Sequence, residues 1–344
     1  MDKPLNILSI GAGAIGTYIG GSLALHGHKV VFLEQPQAAS ELRRRYLRLN
    51  IRGIEHTITE PAIASTIDEA LMLGPYDVAL FALKSYDSEN ALHSFQPYAE
   101  QLPPFLCLSN GVENEPLIAS TLGKDKVIYG TVTTAVGRRK AGDIVVEKLR
   151  GVGVAAGHPL SSRLVSAFDR TGLNCEYYPD GPDMKWSKML TNLIANATSA
   201  ILDMPPADIF AHPGLYWLEI SMLRECLRVM RAQNLHVVNL PGTPVKLLAF
   251  AVQWLPLWLS RPLMASQVGG GRGDKMPSFY IDLYSGRGKS EVGYLNGAVA
   301  RKGEQLGIPT PANQLLDQVL TALTLRHLPL EEYRHKPEKL LAEY

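Results

Sequence analysis

The chain has 344 residues, of which 46% are hydrophobic and 19% charged, with a formal net charge of +1. That length accommodates two domains with their own cores, and the near-neutral balance argues against partners selected by bulk charge, such as nucleic acid or an anionic membrane. Cys107, Cys175 and Cys226 are scattered without CxxC spacing, which argues against a disulfide framework or a zinc site and makes a reducing cytoplasm the expected compartment.

In chain order, the first strand is expected by residue 5, which leaves no room for a signal peptide. Strands are predicted at 5–10, 29–33, 77–83, 105–109 and 127–132, with helices beginning near Ala14, Ala38, Asp87 and Glu113. Near-continuous apolar strands separated by helices predict a parallel sheet covered on both faces. Between the first strand and helix stands Gly11-Ala12-Gly13-Ala14-Ile15-Gly16, a G-x-G-x-x-G loop. Its glycines allow the tight turn, the approach of a pyrophosphate and close helix–strand packing, and the helix N-terminus offers N–H groups to the phosphates. Glu34 closes the second strand, 23 residues after Gly11. An acidic residue there accepts from ribose hydroxyls and repels a 2′-phosphate, which favours NAD over NADP. Arg43-Arg44-Arg45 fits a solvated helix face better than a 2′-phosphate site.

Residues 143–148, 152–156 and 174–178 read as closer-spaced strands that extend the sheet with antiparallel members. Pro179-Asp-Gly-Pro182 is the boundary candidate, giving a Rossmann-type doubly wound α/β domain over 1–180 and an all-helical domain over 181–344. Helices are predicted at 184–202, 213–235, 245–260, 290–306 and 312–325, with a glycine-rich loop at 269–273. The uncharged run 247–260 has 14 residues, short of the roughly 20 needed to span a bilayer. It reads as a buried helix, an active-site cover or a homodimer surface. His158, His212 and His236 lack metal-ligand spacing, and no metal is expected.

Within 184–202 the polar residues are arranged by period. Lys188, Asn192 and Asn196 are spaced by four, and Ser199 continues the row. At about 3.6 residues per turn this stacks them on one helical face. A solvated face ordinarily carries Glu, Lys and Arg, whereas amides in a helix interior are costly unless paired. The stripe therefore points to a polar ligand.

With these features in view the chain resembles the ketopantoate reductase family over nearly its whole length. The likeness is carried by Gly11–Gly16, Phe81-Ala-Leu-Lys84, Ser109-Asn110-Gly111 and Trp186-Ser-Lys188 with Asn192 and Asn196. Ser278 through Glu291-Val-Gly-Tyr-Leu-Asn296-Gly297 adds to it, as does the weaker patch Gly130–Ala135. The resemblance implies hydride transfer from NADPH, usual for the family, or NADH to the ketone of a small 2-oxo acid, most of all ketopantoate in pantothenate biosynthesis. It implies that Lys84, Asn110, Ala135 and Glu291 line the cofactor. It makes Lys188 the general acid, beside Glu291, and gives substrate contacts to Asn192, Asn196 and Ser278. An ammonium aimed at a ketone oxygen stabilises the developing alkoxide and then donates its proton. The residues by themselves admit plainer roles: Asn110-Gly111 as a turn, Ser278 as a helix cap, Glu291 as a first-turn carboxylate.

Three departures from the family pattern bear on the substrate. Glu34-Gln35 stands where the family often has an arginine, Pro206 falls where it has a further asparagine, and 243–275 is longer than compact members require. A bulkier oxo acid, suggested by Trp254 and Trp258, is the second expectation. A nucleotide sensor without chemistry is the third.

Overall fold

A computed structural model describes residues 3–262, 264 and 276–344. The glycine-rich stretch 269–273 lies outside them. Contacts divide the chain into two units. One runs to Lys185 and takes in Leu240–Thr243; the other comprises Trp186–Asn239 and Pro244–Tyr344.

The first unit opens β1 (Asn6–Ile10), α1 (Ala14–Leu25), β2 (Lys29–Leu33), α2 (Pro36–Arg45), β3 (Leu47–Ile51), β4 (Ile54–Ile58) and β5 (Ala62–Ala64). It continues α3 (Ile67–Met72), β6 (Val78–Phe81), α4 (Ser85–Phe95), β7 (Phe105–Cys107), α5 (Asn114–Leu122) and β8 (Val127–Val132). β9 (Ala135–Lys140), β10 (Asp143–Lys148), β11 (Val152–Ala155), α6 (Ser161–Arg170) and β12 (Cys175–Tyr178) follow, and α7 (Gly181–Leu193) begins here. Eight strands form one sheet in the order β12-β11-β8-β7-β6-β1-β2-β5. The run from β8 to β5 is parallel, β11 joins β8 antiparallel, and β12 is parallel to β11. Every residue of β6 and β7 is buried, as strands covered on both faces must be. The chain leaves β1 toward β2 on one side and returns to β6 on the other. The carboxyl ends of β1 and β6 therefore flank the switch point where such sheets bind ligands.

The antiparallel extension holds for β11 and β12, which both run against the other strands of the large sheet. The strand at 143–148 departs from expectation: β10 pairs with β3 and β9 in a separate four-stranded sheet, β4-β3-β10-β9. In β3, Leu47 and Leu49 are buried while Arg48 is exposed, a short period-two pattern. α1 lies between the two sheets, which is why Gly16–Leu23 is buried without interruption.

Among the described residues every element of the second unit is helical, in keeping with the sequence. After α7 come α8 (Asn196–Leu202), α9 (Pro206–Ala211), α10 (Pro213–Ala232), α11 (Val245–Trp254), α12 (Ser278–Tyr284), α13 (Val292–Gln305), α14 (Pro311–Thr324) and α15 (Pro337–Ala342). The predicted single helix over 184–202 is corrected to two. α7 stops at Leu193, Ala195 is left-handed at φ 48°, and α8 starts at Asn196. The cause lies on α10. The buried Glu219 carboxylate accepts from the Ala195 N–H at 2.8 Å and the Thr198 hydroxyl at 2.7 Å. It thereby satisfies a backbone donor at the helix start and ties the side chain of Thr198 to α10. Glu225, two turns along α10, does the same for α14 through the N–H groups of Ala312 and Asn313.

The apolar run 247–260 is not a buried helix. α11 ends at Trp254 because Leu255, preceding Pro256, is extended. Val245, Ala249 and Val252 face inward, whereas Trp254 and Trp258 are 70% and 76% exposed. Among the described residues no helix is long and apolar enough to cross a membrane.

Candidate active site

In the first unit the loops after β1, β6 and β7 meet at the carboxyl edge of the sheet. Gly11 adopts φ +93°, a conformation that favours glycine. Its N–H donates to the Leu33 carbonyl at 3.0 Å. A Cβ on Gly16 would overlap the Gly11 carbonyl oxygen, so only glycine lets α1 start this close to the strand end. A Cβ on Gly13, by contrast, would meet nothing within 4 Å. Packing within the protein therefore does not require glycine there. Ala14 and Ile15 open α1. Among the described residues no side chain caps this helix and no acidic residue sits in its first turn. A half-buried helix N-terminus without a side-chain cap, beside an open glycine, suits a diphosphate, and the residues fit a dinucleotide.

Glu34 stands at the end of β2, half-buried, and its Oε1 accepts from the Ala12 N–H at 2.5 Å. The expected acidic residue is thus turned onto the glycine loop. Arg43 donates to the Ile63 carbonyl at 3.0 Å and pairs with Glu69 at 3.3 Å, in keeping with an exposed helix face. Lys84 is the residue before α4, half-buried, directly after β6. Asn110 follows β7, half-buried, and the Ser109 hydroxyl ties the two loops together by donating to the Leu83 carbonyl at 2.8 Å. Ala135 begins β9 and so belongs to the smaller sheet.

The second unit carries the polar face. Of residues 184–200, only Lys188, Thr191, Asn192 and Ile194 are not buried. Lys188, Thr191 and Asn192 share a face of α7, which leaves a narrow half-buried polar window in an otherwise closed helix. Asn196, 5% exposed, does not continue that window. Its amide donates to the Asn192 carbonyl at 2.9 Å and to Ser278 Oγ at 3.3 Å, while its Oδ1 accepts from the Phe279 N–H at 3.0 Å. With its groups spent in this way, Asn196 holds the head of α12 and leaves Ser278 exposed at its first position. Glu291 is buried at the head of α13, where the helix dipole favours a carboxylate. Pro206 is the first residue of α9, a position that suits its missing N–H.

One charged pair escaped sequence reasoning. Lys185 lies fully inside the first unit and pairs with buried Glu115 on α5 at 2.8 Å. The signal available was a lone lysine flanked by Met184 and Trp186, but its partner is 70 residues away in the chain.

Comparison with known proteins identifies the family. Residues 7–156 match the model of the family described as Ketopantoate reductase PanE/ApbA, and residues 182–324 match that of its C-terminal part. A 2-dehydropantoate 2-reductase of Lactococcus lactis subsp. lactis (strain IL1403) is 24% identical over 92% of this chain and 97% of that protein. One from Aquifex aeolicus (strain VF5) is 23% identical over 94% and 98%. Among solved structures, a PanE/ApbA family ketopantoate reductase from Ralstonia eutropha JMP134 superposes with a TM-score of 0.78 at 25% identity, covering 93% of this chain and 99% of that one. D-mandelate dehydrogenase with NADH and anilino(oxo)acetate shares the fold, with a TM-score of 0.73 at 20% identity over 92% and 98%.

Proposed function

The chain belongs to the ketopantoate reductase family of NAD(P)H-dependent oxidoreductases, and from that premise we propose that it reduces ketopantoate to pantoate with Lys188 as general acid. The observation that carries this reading is the half-buried window on α7, where an ammonium and an amide stand one turn apart among buried neighbours.

When bound, the reduced nicotinamide supplies the hydride that becomes the hydrogen on C2. The Lys188 ammonium stabilises the negative charge growing on the ketone oxygen and passes its proton to that oxygen, completing the hydroxyl. Partial exposure lets the resulting amine regain a proton from water. Glu291, buried at the head of α13, is the acidic group we assign to the site beside Lys188. Asn192 and the exposed Ser278 hydroxyl provide the substrate's hydrogen-bond partners, with Asn196 holding Ser278 in place.

Gly11–Gly16, Lys84, Asn110 and Ala135 are the residues that would hold the dinucleotide, with Glu34 at its ribose. A carboxylate in that place favours NADH by repelling a 2′-phosphate. The test is a panel of 2-oxo acids, ketopantoate and bulkier aryl oxo acids among them, assayed with NADH and with NADPH. The proposal expects the highest kcat/KM for ketopantoate. A much larger value for another acid would reassign the substrate, and oxidation of neither cofactor by any acid would overturn the enzymatic reading.

A further inference from the structure

The Ser109–Asn110 turn is gripped from two sides by side chains, and one of them is a lysine that the hydride chemistry does not use. The Lys185 ammonium, 3% exposed, sits 2.8 Å from Glu115 Oε1, itself fully buried. It also donates to the carbonyl of Ser109 at 2.6 Å and, more weakly, to that of Gly130 at 3.4 Å. The last paired residues of β7 and β8 are Cys107 and Tyr129. Both carbonyls lie past the end of that ladder: Ser109 is beyond the strand altogether, whereas Gly130 still pairs with Val154 of β11. The next carbonyl along, that of Asn110, accepts from Ser85 Oγ at 2.9 Å and Asn114 Nδ2 at 2.8 Å. Gly111 completes the turn at φ +86°. With two successive carbonyls held, the direction in which Asn110 leaves the backbone is set.

A structural role by itself does not account for this arrangement. Burying two charges is expensive, and an apolar pair of similar volume commonly serves stability as well or better. The surroundings are suited to such a pair, since Leu106, Cys107 and Met184 are fully buried. Burial, the largest single influence, opposes the charge on Lys185, but the Glu115 carboxylate together with Cys107 and Tyr129 outweighs it, so the amine is held above its ordinary value and stays protonated. What an apolar pair lacks is a donor for the two carbonyls at the ligand-binding edge.

We propose that Lys185, with Glu115 as counter-ion, is a positioning residue for the cofactor: it fixes the Ser109–Asn110 turn so that Asn110 meets the bound dinucleotide. This rests on the reading that the first unit binds NAD(P)H. The experiment compares the wild type, Lys185→Met and the double variant Lys185→Met/Glu115→Leu by nicotinamide fluorescence titration, thermal melting and steady-state kinetics. Lys185→Met leaves Glu115 buried alone and is expected to melt early. The double variant removes both charges and is expected to recover most of the melting temperature. It is nevertheless expected to bind NADH and NADPH about tenfold more weakly than the wild type, with cofactor KM rising in step and the KM for the oxo acid within about twofold. A folded double variant with wild-type cofactor affinity would overturn the inference and leave the functional reading intact. A wild type that binds neither cofactor would overturn that reading, and this inference with it.

Discussion

The glycine loop of the first unit and the polar window of the second place functional groups by different means. In the loop the backbone itself is the instrument: φ +93° at Gly11, no room for a side chain at Gly16, an uncapped helix start, and an open position at Gly13. In the window the instruments are side chains, and they depend on buried carboxylates contributed from elsewhere in the chain. Glu219 divides what would otherwise be one helix, and the division turns Asn196 from a member of the Lys188 face into the support of Ser278. A site made of backbone is specified by residues that are neighbours in sequence, whereas a site made of side chains is specified by whatever packs against them.

That contrast can be tested by breaking each side of it. Lys188→Ala should have the largest effect, lowering kcat by about 10²–10⁴-fold. A titration of the variant with NADH should give an unchanged Kd; near-normal turnover would remove Lys188 from the acid role. Glu219→Ala should cost about 3 kcal/mol in chemical denaturation, because it strips a buried acceptor from the Ala195 N–H and the Thr198 hydroxyl. Cofactor affinity should survive it while oxo-acid KM rises, and the reverse pattern would mean the break at Ala195 has no bearing on the polar window.

The two glycines separate packing from binding. Gly16→Ala should destabilise by about 2 kcal/mol through overlap with the Gly11 carbonyl. Gly13→Ala should leave the melting temperature within a few degrees (about 0.5 kcal/mol or less), since its new methyl meets nothing. Both should weaken dinucleotide binding. A Gly13→Ala variant with undiminished affinity would show that the open position is not where the diphosphate lies. Glu34→Gln should shift the ratio of NADPH to NADH affinity toward NADPH by about tenfold, equivalent to about 1.4 kcal/mol, read from paired titrations. No change in the ratio would release Glu34 from cofactor selection.

The smallest effect concerns Glu225. Burial pushes its carboxyl above the ordinary carboxylate value, although the N–H groups of Ala312 and Asn313 and the Asn313 amide pull the other way. A carboxyl raised in the folded state adds stability at low pH that is lost as pH rises through its folded value. The stability of the wild type relative to Glu225→Gln should therefore improve as pH falls from 7 toward 4.5. A difference independent of pH would show that the carboxyl titrates alike in both states.

Much of the first unit was legible in the sequence because its signals are local. Val78–Phe81 and Phe105–Cys107 are short apolar runs between helical segments, and they became buried parallel strands in register with β1 and each other. The smaller sheet was not foreseen as a sheet. Leu47 and Leu49 alternate with Arg48 and Asn50 over too short a span to stand out, and β10 reads equally well as a continuation of the large sheet. In the second unit α10, α13 and α14 were legible from their period, whereas the short α9 and the stop at Leu193 were not, since no residue near Leu193 breaks a helix. The pairing of Lys185 with Glu115 was beyond reach for the same reason: each is an ordinary residue until the fold removes both from water.

What the sequence by itself determined is therefore the set of parts: a glycine loop from Gly11 to Gly16 between a strand and a helix, an acidic residue at Glu34, and a lysine with an amide one turn on. Those readings depend on spacing of a few residues, where backbone geometry leaves little freedom. Tertiary structure decided which polar groups are spent and which remain available. Asn196 is committed to α12 and Lys185 is locked to the turn before Asn110. Availability of a buried donor or acceptor depends on every group within hydrogen-bond reach, and that set is assembled by chain segments far apart in sequence.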